Sequence, residues 1–275
     1  MAIIRWEDTL ACLDVEFLGA DSFTAPNIPM AYRRIFGGQL IAQALCVAAE
    51  TVQEKGVKSL HATFPNQGDL ASPVEYRVHR QGEGRTFAHR MVVGRQAGEV
   101  IVVANVSLHC EEAGLFHQTD FPEVLAPEDA TAMDLSMIPW ETRVVGGVDL
   151  ASREIGSPDY AFWMRAPSFS AGQVVHQALL AHATDLSLIG TSLRPHAGLG
   201  EADSPEKIQT AVTSHTIWFH QPLRMDDWLL VSQKSPIVAA GRGFAHGSVL
   251  SREAALVASF AQESMLRPVS ESSGS

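Results

Sequence analysis

Gly38-Gln39-Leu40-Ile41-Ala42-Gln43-Ala44-Leu45 returns 134 residues later as Gly172-Gln173-Val174-Val175-His176-Gln177-Ala178-Leu179. Three further matches follow in the same order. His61-Ala62-Thr63-Phe64 pairs with His215-Thr216-Ile217-Trp218, and Arg85-Thr86-Phe87-Ala88-His89 with Arg242-Gly243-Phe244-Ala245-His246. Val103-Ala104-Asn105-Val106 then pairs with Val257-Ala258-Ser259-Phe260. Each match is short, but four in one order mark two copies of one unit. The units span residues 1–112 and 160–270, joined by residues 113–159.

The unit has a legible shape. GQLIAQALCVAAETV, opened by Gly37-Gly38, is rich in Ala, Leu and Gln and free of Pro, which predicts a buried helix of about four turns. Strand-like runs follow: SLHATF, VEYRVHRQ, FAHRMVVGRQ and EVIVVANVSLHC. The second copy repeats this with QVVHQALLAHA, then AVTSHTIWFH, WLLVSQKS, GFAHGSVLS and ALVASFAQESML. One helix and about four antiparallel strands, twice, make an α+β arrangement, a tandem double hotdog in which each sheet wraps a central helix. The 113–159 stretch, with Pro122, Pro127, Pro139 and Pro158, reads as a long acidic surface linker.

Composition bounds the function. With 275 residues, 46% of them hydrophobic, the chain is long and apolar enough for a real core. A net charge of −11 argues against a nucleic-acid partner. That charge is concentrated, since residues 111–160 hold eleven acids and two arginines, so an anionic ligand is still admissible elsewhere. Cys12, Cys46 and Cys110 are odd in number and widely spaced, which predicts free thiols in a reducing cytoplasm. The N-terminal MAIIRWEDTL lacks a leader's apolar run, and no stretch approaches a membrane span.

The repeat serves as an internal control on chemistry. At the 134-residue offset Asp185 falls opposite Thr51, and at an offset of 154 Gln262 falls opposite Leu108. The second copy thus carries an acid at the end of an apolar helix and an amide inside an apolar strand, where the first copy has neither. Such local conflicts with the fold are where function is expected. Other chemistries find less support. Eleven histidines include no HExxH or Cys/His spacing, no GxSxG is present, and Gln81-Gly82-Glu83-Gly84 opens no helix. No cofactor or metal is implied.

The chain resembles the type II acyl-CoA thioesterases, the bacterial thioesterase II and peroxisomal thioesterase group. The resemblance rests on Phe36-Gly37-Gly38-Gln39 with Gln43-Ala44-Leu45, on His61-Ala62-Thr63-Phe64 with Gly68-Asp69, and on Ala183-Thr184-Asp185-Leu186. It continues through His215-Thr216-Ile217-Trp218-Phe219-His220, Arg242-Gly243-Phe244, and Val257-Ala258-Ser259 with Gln262-Glu263. It implies hydrolysis of fatty acyl-CoA to free acid and CoA, by a water that an Asp, a Gln and a Ser or Thr activate. Asp185 would be the base and Gln262 the amide. Gly38 and Gln39, at a helix start, would offer oxyanion donors. A homodimer or homotetramer is expected. In the family the hydroxyl stands three residues before the His of the WFH block, and here that position is Val212. The expected replacements are Ser214 or Thr213, with a β-bulge to bring one inward. Val212 also keeps open a catalytically weak acyl-CoA-binding protein. An enoyl-CoA hydratase ranks below both, because Gly68-Asp69-Leu70-Ala71 does not continue into that chemistry's pattern.

Overall fold

The computed structural model describes residues 4–30, 34–135 and 137–269. Residues 1–3 and 270, the outermost ends of the two expected units, lie outside them. The first half contains α1 (Trp6–Ala11), β1 (Glu16–Gly19), β2 (Ser22–Ala25) and α2 (Gly37–Glu50). Four long strands follow: β3 (Gly56–Thr63), β4 (Val74–Glu83), β5 (Phe87–Gln96) and β6 (Glu99–His109). Two short strands, β7 (Thr131–Ala132) and β8 (Glu141–Val144), precede β9 (Asp159–Arg165), α3 (Gln173–Thr184) and α4 (Leu188–Leu193). The second half ends in β10 (Ile208–Phe219), β11 (Leu229–Ala239), β12 (Arg242–Ser251) and β13 (Leu256–Pro268).

All the strands join one antiparallel sheet, ordered β1-β2-β4-β5-β6-β3-β10-β13-β12-β11-β9-β8-β7. Outward from the seam of β3 against β10 the order matches in the two halves, with β7 as one extra strand, and at the seam Leu60 faces Ile217 and Ala62 faces His215. Period-two burial gives each strand one inner face, and the sheet curls that face around α2 and α3. Both helices are apolar nearly all round: Leu40, Ile41, Ala44 and Leu45 in α2 and Ala178, Leu179, Leu180 and Ala181 in α3 are buried. A helix of that kind needs cover on every side. The expected tandem double hotdog is the fold observed, with the eight long strands within a few residues of their sequence-based bounds.

Two expectations need correction. His61 is exposed on the outer face and His215 is buried on the inner one, so the two histidines are not counterparts. His61 faces Asn105, Trp218 faces Ser259, and Asn105 and Ser259 are counterparts, so His61 corresponds to Trp218. The other correction concerns residues 113–159, which are more than a surface linker. Ile138, Trp140, Val144 and Leu150 are buried, β7 and β8 extend the sheet, and Trp140 packs edge-on to Trp6 with ring centres 5.8 Å apart. Few apolar residues spaced through an acidic background hide this role from composition.

The end of α2 is closed by a buried arginine. Arg90, on β5 and fully buried, donates to Thr51 Oγ1 at 2.8 Å, to the Gly82 and His89 carbonyls at 3.1 Å, and to Glu83. Replacing it strands acceptors in a dry interior. Arg90→Met is expected to lower unfolding stability by about 2 kcal/mol or more in urea titrations. An unchanged midpoint would show that the cluster does not hold the helix end.

Candidate active site

Asp185 is the C-terminal cap of α3, as Thr51 is of α2, so the counterpart relation expected from the repeat holds in space. The end of α3 runs into the first turn of α2. A Cβ on Gly37 would lie 2.8 Å from Asp185 Oδ2, and one on Gly38 would collide with the His182 carbonyl. The Gly37-Gly38 pair is therefore needed for the close approach. It brings the Asp185 carboxylate to the positive end of a 14-residue helix, which offsets the unfavourable end of its own.

Asp185 is 2% exposed, and neither carboxylate oxygen completes a hydrogen bond among the described residues. Burial pushes its pKa up to about 7, against the opposing pull of the Gly38 amide and the Arg34 charge. His215, fully buried on β10, has Nδ1 3.7 Å from Asp185 Oδ1 and 2.9 Å from Gln262 Oε1. Burial lowers the imidazole to about 4, so at neutral pH this is a neutral ring beside a carboxyl group and not an ion pair. Its Nε2 lies 3.2 Å from Thr184 Oγ1. Gln262, opposite His215 in the β10–β13 ladder, donates from Nε2 to Ser264 Oγ at 3.1 Å. Five buried polar side chains, Thr184, Asp185, His215, Gln262 and Ser264, are thus linked in a chain of contacts that reaches the start of α2 at Asp185.

The other sequence candidates separate. A bulge between Val212 and Ser214 sets both Thr213 and Ser214 against Glu263, whose side chain is exposed. Thr213 Oγ1 bonds the Glu263 carbonyl and takes a bond from Arg242 on the outer face, so neither hydroxyl reaches Asp185. The bulge exists, but it turns these residues outward. Gln39 is not an oxyanion donor either. Its amide N–H is taken by the Phe36 carbonyl, and its buried side chain ties Ile28 N and Asn27 Oδ1. Gly38 does lie beside the carboxylate. His215 and Ser264 were not among the sequence candidates. Strand parity was the available signal for both, because each shares a face with Gln262.

A cavity of about 300 Å³ adjoins the site at Leu186 and Ser187, lined also by Met133, Leu135, Leu150 and Tyr160. A larger cleft, about 540 Å³, lies over β11 and β12 and includes none of these five polar residues. The site is defined by chemistry and not by the larger opening.

The chain matches the family models of the acyl-CoA thioesterase N-terminal domain over residues 24–109 and of the C-terminal domain over 117–266. It is 30% identical to human acyl-coenzyme A thioesterase 8 over 93% of this chain and 87% of that protein. It is 28% identical to acyl-CoA thioesterase 2 of Haemophilus influenzae over 89% of this chain and 92% of that one. Among solved structures, the acyl-CoA thioesterase II TesB2 of Mycobacterium marinum superposes with a TM-score of 0.83 at 30% identity, covering 95% of this chain and 99% of that one.

An acid whose folded pKa lies above its unfolded value keeps its proton in the folded state longer. Its contribution to stability is full below about pH 4 and is lost as pH rises through about 7. Asp185→Asn, which cannot ionise, is expected to raise the melting temperature at pH 8 by ~2 °C or more, with little gain at pH 4. A gain that shrinks with rising pH would mean that the folded state favours the anion.

Proposed function

The chain belongs to the acyl-CoA thioesterase family and hydrolyses acyl-CoA thioesters, and we propose that it does so with a water activated by Asp185 and Gln262. The observation that carries this reading is a buried carboxyl whose oxygens complete no hydrogen bond among the described residues and whose pKa is near neutrality, linked through His215 to a buried amide. A base poised near the working pH is what general-base catalysis requires. The water oxygen attacks the thioester carbonyl carbon while one of its protons passes to Asp185. The tetrahedral intermediate then expels the CoA sulfur, which takes that proton and leaves as thiol, and the free acid remains. Gln262, braced by His215, holds the water in line. The positive end of α2, at Gly38, is what we assign to stabilise the oxyanion.

The cavity beside Leu186 has a mixed lining, with Asp134, Asp149 and Glu201 among Met133, Leu135 and Leu150, so a fatty acyl chain as the group released rests on the family likeness. One site per chain is supported by the first half, where Arg90 fills the end of α2 and Leu108 stands for Gln262. Trp218, Phe87 and Phe244 are exposed on the outer sheet face and support pairing between copies as a homodimer or homotetramer. No helix among the described residues is long and apolar enough to cross a membrane. Cys12, Cys46 and Cys110 are free thiols, which supports a reducing, cytoplasmic setting.

Release of free thiol from a panel of acyl-CoA esters tests this reading. Asp185→Ala is expected to lose about 10²-fold or more in kcat. Wild-type kcat/KM is expected to fall on acidification with a midpoint near pH 7, where the carboxylate takes up its proton. Retention of activity by the alanine variant would remove Asp185 from the mechanism.

A further inference from the structure

The site contains a hydroxyl that the Asp185–Gln262 mechanism does not use. Ser264 is 3% exposed, two residues from Gln262 on the same inner face of β13. Its Oγ accepts from Gln262 Nε2, and its own proton meets no acceptor among the described residues. A neutral imidazole carries one proton, which fixes the sense of the chain of bonds. With Gln262 Oε1 as the acceptor at Nδ1, the His215 proton sits on Nδ1, and Nε2 faces the Thr184 hydroxyl, whose proton goes to the Ala181 carbonyl at 3.1 Å. The donors then run from His215 to Gln262 to Ser264, and the last free proton is that of Ser264.

Ser264 also occupies a telling place in the ladder, as the direct partner of Val212. The bulge at Thr213 turns both that residue and Ser214 outward, so β10 presents Val212 without a hydroxyl and β13 presents one opposite it. Side chains of a directly opposed pair lie ~5 Å apart at Cβ and serve the same small volume.

We propose that Ser264 is the third side chain to hold the attacking water, supplying from β13 the hydroxyl that β10 lacks at Val212. This rests on the reading that Asp185 and Gln262 activate that water. One lone pair of the water accepts from Ser264, the other is left for the thioester carbon, and one proton goes to Asp185. Ser264 keeps its own proton and forms no covalent bond.

Steady-state thiol release from one acyl-CoA, measured across pH 5.5–9, tests the assignment in four proteins: wild type, Ser264→Ala, the double variant Ser264→Ala/Val212→Thr, and Asp185→Asn. Ser264→Ala is expected to lower kcat about tenfold to a hundredfold, with KM within about twofold and the pH midpoint unmoved. Adding Val212→Thr returns the hydroxyl from the opposite strand and is expected to recover most of the lost kcat. A packing role for Ser264 would not be rescued across the ladder. Wild-type kcat in Ser264→Ala, or a double variant no faster than Ser264→Ala, would overturn the proposal. Undiminished activity in Asp185→Asn would instead overturn the water-activation reading itself.

Discussion

The site depends on the end of one helix meeting the beginning of another with no side chain between them. Asp185 closes α3, Gly37 and Gly38 open α2, and the carboxylate occupies space that a Cβ on Gly37 would take. The buried acid then lies at the positive end of a helix, with the Arg34 charge adding to that pull. The Gly38 amide and the partial positive charge of the α2 start oppose the desolvation that favours the neutral form. The sheet enforces the same geometry from outside. Its seam between β3 and β10 brings His215 to the inner face beside that junction, and the β10–β13 pair adds Gln262 opposite it.

The two halves share a fold and have solved the same local problem in different ways. Each central helix ends at an inner face with carbonyl groups to satisfy. At the end of α2, Arg90 reaches across from β5 to Thr51 and fills the volume, and Leu108 presents an apolar surface nearby in the ladder. At the end of α3 no cation among the described residues hydrogen-bonds the Asp185 carboxylate, and the polar groups there have unused capacity. The first half spends its helix end on stability. The second leaves two carboxylate oxygens and a hydroxyl proton unpaired among the described residues, which is the condition under which a water has partners to bind.

Much of this was legible in the sequence because period and repetition carry the fold. Helices with small and apolar residues on all faces, strands of alternating burial and the offset that sets Asp185 against Thr51 all survive in the structure. The failures share a cause, which is that matching letters ignores which side of a strand a residue occupies. His61 and His215 look alike and face opposite ways. Ser214 and Thr213 lie nearest in sequence to the missing hydroxyl, yet a one-residue bulge sends both outward, and the inner-facing hydroxyl is on the neighbouring strand. Long-range pairing of that kind is fixed by hydrogen-bond register, which no local window contains. The cover formed by Ile138 and Trp140 escaped for a related reason, because its apolar residues have neither period and are held by tertiary contacts alone.

Burial does two opposite things to neighbouring groups here, and both are needed. It raises Asp185 toward neutrality and lowers His215 well below it, so that at pH 7 an acid and an imidazole stand 3.7 Å apart without forming an ion pair. A protonated His215 at that distance would hold Asp185 as a stable anion, with the depressed pKa of a paired carboxylate and little affinity for a proton. The bond from Nδ1 to Gln262, in place of one to Asp185, keeps the imidazole in a positioning role and leaves the carboxylate as the strongest base in the pocket. Opening the site to solvent would weaken that base and charge the histidine together. The dryness of the helix junction is therefore part of the chemistry, and Gly37-Gly38, which lets the junction close, belongs to the mechanism as much as the acid does.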